Sequence, residues 1–139
     1  MHPTDNPTYK ALLADGIAAQ GDLLIVSLPL AAANGMKIDE PNFEIVAPPQ
    51  GGHIVAHSET GHHHVLVPVA GYPAPALFRN RKLPDPEMQA IVRIGEGGLA
   101  KVEHRRDFFT HGEIVLPSGN WVLARQGRPT PEGWRKVQD

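Results

Sequence analysis

Residues 88–125, MQAIVRIGEGGLAKVEHRRDFFTHGEIVLPSGNWVLAR, decide how the chain is read. Four short apolar segments, 88–94, 99–104, 113–116 and 120–125, are punctuated by Gly95-Glu96-Gly97-Gly98 and by Pro117-Ser118-Gly119. Short β-rich runs broken by glycine and proline clusters are the signature of strands and tight connections, so each cluster is expected to close a hairpin. Working outward, 22–28, 43–47, 53–58, 62–69 and 76–79 are further strand-like segments, bounded by prolines, glycines or the compact Ser58-Glu59-Thr60-Gly61 turn. Gly 14 and Pro 14 in 139 residues make about a fifth of the chain, which disfavours long helices. About eight strands at regular spacing predict a mainly β fold, a small single-domain β-barrel or β-roll/sandwich.

One helix is expected, at the N-terminal end. Asn6 suits its cap, Pro7 its first turn, and Gly21 its end, with residues 9–20 between them. Leu13 and Ile17, four apart, would share its buried face, with Tyr9 a turn earlier. Residues 31–35 are left as a helical turn or a loop. The whole of 1–139 is read as a single domain: an N-terminal arm and helix over 1–21, a β body over 22–126 and a C-terminal tail over 127–139. Trp134 and Val137 of the tail are expected to dock on the body.

Composition removes several function classes. The net charge of −2 argues against a general nucleic-acid binder, so nucleic acid is not an expected partner. Of 13 lysines and arginines only Lys10 and Lys37 precede residue 71, and the later cations read best as a solvated surface. No apolar run is long enough to span a membrane, and the first residues have no basic start followed by an apolar stretch. The expected setting is cytoplasmic, or virion-associated if the chain is phage-encoded. With Cys 0 there is no disulfide, no thiolate nucleophile and no thiolate ligand. Walker, nucleophile-elbow and dinucleotide-binding patterns are missing too.

Histidine is the informative residue. Five of the eight, His53, His57, His62, His63 and His64, fall close together, with His104 and His111 later. Along a strand, residues i and i+2 share a face, so His62 and His64 can converge on one ion while His63 points away. Without cysteine, a transition-metal site here must use imidazole with Asp or Glu. A three-residue loop at 59–61 sets Ser58 opposite His62 and takes His57 off that face; a two-residue loop sets His57 opposite His62 and adds His53. The expected ligands are therefore His62, His64 and His111, with His57 and His104 as alternates. One divalent ion, Zn, Fe, Mn or Ni, is the expected cofactor. Glu59 or Glu103 would be the general base if the ion activates water.

Gly61-His62-His63-His64, with Leu116-Pro117-Ser118-Gly119 far downstream, resembles the cupins, small β-barrels with a His-x-His metal pair and a later Pro-x-Gly turn. The resemblance implies ligands at His62 and His64 only. Residues Val65 to Val69 carry no glutamate where cupins have one, and Val122 stands where they have a further histidine. Thr60 to His64, His111 to Gly119, Arg125-Gln126 and Thr130 to Val137 also resemble short uncharacterised bacterial and phage proteins. That likeness runs from about His57 onward and groups His62, His64 and His111.

The functional expectation is a metal-binding β-barrel with a histidine site, expected to be a homo-oligomer. The alternatives are an assembly protein with histidines at a subunit interface, a cupin-like metal enzyme, and a pH-responsive binding module.

Overall fold

The computed structural model describes residues 2–38, 40–47, 52–56, 63–82, 89–105, 110–125, 127–130 and 133–136, with backbone alone at 56, 110, 111, 127–130 and 133–136. The architecture is mainly β: eight strands form one curled sheet, a half-barrel, with a short helix at the N-terminal end.

Helix α1 spans Pro7–Asp15, and Asn6 caps it, its Oδ1 accepting from the Thr8 N–H at 2.7 Å. It stops earlier than expected. Gly16 takes the left-handed conformation (φ 72°) and its N–H bonds to the Leu12 carbonyl, closing the helix there. Ile17–Gln20 is consequently a strand, β1, and Gly21 lies in the turn to β2, Leu23–Ser27. The face that α1 buries is set by Leu12, while Leu13 is 60 % exposed and Ile17 45 %. Ser27 ends β2 and at the same time caps α2, Leu28–Ala33, with Pro29 in the first turn.

The sheet runs β1-β2-β8-β7-β5-β4, with β6 also on β7 and β3 on β6, every pairing antiparallel. Here β3 is Phe43–Val46, β4 His53–Ala56, β5 His63–Pro68, β6 Ala76–Asn80, β7 Gln89–Arg105 and β8 Thr110–Arg125. The two expected hairpins do not form. Residues 89–105 are one long strand, and so are 110–125. The glycine cluster and the Pro-Ser-Gly cluster face one another across the pair, where the register steps from Ile94↔Gly119 to Leu99↔Pro117. Trp121 Nε1 spans this kink to the Pro117 carbonyl at 2.9 Å. Glycine and proline clusters suit a bulge as well as a turn, and here they bend a ribbon without reversing it.

The kink lets one edge of β7 serve two strands: β5 pairs with 100–105 and β6 with 90–93. Curling then folds the two halves over a shared core that includes Leu23, Ile25, Leu66, Leu77, Val92, Val102, Leu116 and Leu123. A smaller cluster, Val26, Ala31 and Val122, lies under α2. In the tail, Gly127–Thr130 (β9) and Gly133–Lys136 (β10) pair as a separate two-stranded ribbon. Trp134's side chain and Val137 lie outside what is described. Among the described residues no helix is long and apolar enough to cross a membrane.

Candidate functional site

One end of the core is polar. β5 begins there, β7 ends and β8 begins, and the antiparallel register sets His64 opposite His104 and His104 opposite His111. Three adjacent strands thus carry histidine at matched positions. His64 is fully buried and His104 nearly so. Their rings stack at 4.3 Å between centroids and 15° between planes. His63, one residue along, faces the other side of β5 and is half-buried, although Val65 and Val67 further along that face are buried.

Two further residues reach the cluster from the β1–β2 connection, more than forty positions earlier. Asp22 Oδ1 lies 2.9 Å from His64 Nε2, and Gln20 Oε1 lies 2.8 Å from His64 Nδ1. Both are buried. The curl of the sheet brings them there, since β1 and β2 sit beyond β8 in strand order yet fold back over the ends of β5 and β7. Gln20 Nε2 donates to the Val102 carbonyl at 3.0 Å and to the Gly112 carbonyl at 2.6 Å. Gly112 occupies a bulge in β8, where the register slips by one residue between Val102 and His104, and its φ of 68° is one that glycine adopts without strain. Arg125, at the end of β8, places its guanidinium 3.6 Å from Asp22 Oδ2.

This is an unusual content for a protein interior: a carboxylate, a guanidinium and two imidazoles, all nearly sealed from solvent. Burying charges costs several kcal/mol per ion unless they are paired, and here Asp22 lies between His64 and Arg125.

The expected site residues divide. His64 and His104 are in the cluster, and His111 holds a matched position on β8, with its side chain outside the described residues. His57, Glu59 and His62 lie outside them altogether. On β4, Ala56 stands opposite His64 after a one-residue register shift from Ile54↔Val65, and the loop at 59–61 lies outside the described residues. Glu103 flanks His104 on β7 and is engaged elsewhere: Arg105 donates to its Oε1 through Nε at 3.0 Å and Nη2 at 2.7 Å, and Lys101 Nζ lies 3.5 Å from Oε2. His53 is buried beside Arg79; burial first, and the Arg79 charge second, hold it below the ordinary histidine range. Among the described residues no three His, Asp or Glu side chains are arranged around one point as a ready metal cage. Sequence reading missed Gln20, Asp22 and Arg125. Only the Gln20-Gly21-Asp22 run beside a buried strand hinted at them, polar residues where a hydrophobic strand begins.

A family model described as a domain of unknown function, DUF8820, matches residues 19–126, and the chain belongs to that family. The match contains every residue of the cluster, from Gln20 to Arg125. No curated protein and no solved structure matches the chain.

Proposed function

We propose that this DUF8820 domain binds one divalent transition metal ion at the polar end of its half-barrel, with His64 Nε2 and Asp22 Oδ1 as the first two ligands. His111 is the third, from its position across β7; His62 completes the set, and His57 and His104 are alternates. The observation that carries this reading is the buried contact between an imidazole nitrogen and a carboxylate oxygen at 2.9 Å. Histidine with carboxylate is a donor set suited to Zn, Fe, Mn or Ni. With metal–ligand bonds of about 2.0–2.2 Å in a tetrahedron, the two atoms need separate by only about half an ångström to admit the ion. The ion would take the place of the hydrogen bond that otherwise joins them.

Calorimetric titration of the untagged protein with Zn, Mn and Ni chlorides tests this. Wild type and His63→Ala are expected to bind alike, while His64→Ala and Asp22→Asn lose the high-affinity event. Equal binding by all four overturns the assignment. The absence of binding in wild type does so too, and leaves the contact as a structural hydrogen bond.

A second reading, an assembly module, is favoured by a different observation. Of the exposed large aliphatics, Ile17, Ile45 and Ile54 lie on β1, β3 and β4, strands that pair on one side only among the described residues. Exposed apolar edge strands are a common route to strand addition between chains. Light scattering decides: an oligomer in wild type that Ile45→Lys with Ile54→Lys reduces to monomer supports it, and a monomeric wild type removes it.

A further inference from the structure

The amide of Gln20 can be oriented in only one way. Its nitrogen faces two backbone carbonyls, Val102 O at 3.0 Å and Gly112 O at 2.6 Å, and carbonyls only accept. The amide oxygen is therefore the atom turned to His64 Nδ1, 2.8 Å away, and it too only accepts. A hydrogen bond at that distance requires the proton to be on Nδ1. The other ring nitrogen, Nε2, is then the one that carries the lone pair when His64 is neutral, and it faces Asp22 Oδ1. Two such atoms at 2.9 Å, sealed from water, need either a proton or a metal ion between them.

We infer that Gln20 is a positioning residue: it holds the proton of His64 on Nδ1 and so presents Nε2, together with Asp22, to the cation. This rests on the metal reading for its functional meaning, although the proton assignment stands on geometry alone. The bulge at Gly112 belongs to the device, because it turns that carbonyl toward the Gln20 amide. The stacked His104 ring limits rotation of His64 about its own axis. A hydrogen bond donated by the non-ligating N–H to a rigid acceptor sets ring orientation and raises ligand basicity in metal sites generally.

The experiment is a 15N-edited NMR spectrum of the imidazole rings, recorded on the full chain with and without Zn, alongside Zn affinity for wild type, Gln20→Met and Gln20→Glu. In metal-free wild type, His64 Nδ1 is expected to carry a slowly exchanging proton. On adding Zn only the Nε2 resonance should shift by the amount that ligation produces. Gln20→Met, of similar length but with no acceptor, should lose protection of the Nδ1 proton and weaken Zn binding roughly 10- to 100-fold. Gln20→Glu keeps an acceptor for His64 but sets its second oxygen against the Val102 and Gly112 carbonyls, so a folded variant should recover part of that protection at a cost in stability. A wild-type spectrum with bare Nδ1 overturns the assignment without recourse to any variant, and so does a folded Gln20→Met that keeps both the Nδ1 proton and wild-type affinity. If wild type takes up no metal, the metal reading fails, and the ring spectrum still decides the role of Gln20.

Discussion

His64 and His63 are neighbours with opposite fates. One is sealed against Gln20, Asp22 and His104, and the other is half-buried on the far face. Strand alternation made their opposite faces legible before any fold was known, though not the difference in burial. The partners of His64 were not legible, because Gln20 and Asp22 lie in a part of the chain whose local pattern reads as a helix end and a strand start. What turns them into site residues is the curl of the sheet, a long-range property. A third buried imidazole, His53, makes a separate prediction. Its folded form resists protonation, whereas in the unfolded chain it takes a proton near 6.5. Between these two values the unfolded state binds more protons, so stability falls as pH drops below about 6.5. Thermal midpoints from pH 7.5 to 5 should fall more steeply for wild type than for His53→Gln. Parallel curves would show that His53 does not contribute to the acid limb.

Among the elements, β7 and β8 carry the fold, and their segments were recognised as β while the glycine and proline clusters inside them were misread as hairpin turns. Glycine and proline clusters mark a departure from regular pairing without saying whether the chain reverses or merely bends. The answer lay in the pairing of two clusters set opposite one another, which neither discloses alone. The same limit applies to α1, where Gly16 outranked the apolar spacing of Leu13 and Ile17. The kink is also where a small change should be felt. A Cβ on Gly98 would come within 2.8 Å of the Gly95 carbonyl oxygen and 2.9 Å of Ile94 Cγ2. Backbone there cannot step aside, so Gly98→Ala is expected to cost about 1–3 kcal/mol by denaturant unfolding. An unchanged midpoint would mean that the kink relaxes freely.

At the scale of the molecule, the kinked ribbon produces a half-barrel with an apolar middle and one polar end. Arg79 shows how such a sheet manages an edge: its Nη2 donates to the Ile54 and Val55 carbonyls of β4, at 2.8 and 3.2 Å, tying β4 to β6. The polar end is the costly part of the structure. A hydrophobic plug in place of Asp22, His64, His104 and Arg125 would close the core with less desolvation. The cost makes sense where the end has a task, and the proposed metal site would give it one. The most direct test is the metal content of untagged protein, purified without chelator and measured by elemental mass spectrometry beside a folded Asp22→Asn variant. The account predicts a stoichiometric transition metal in wild type and only traces in the variant. Wild type that holds traces alone, even after reconstitution with Zn, Fe, Mn and Ni, would contradict it.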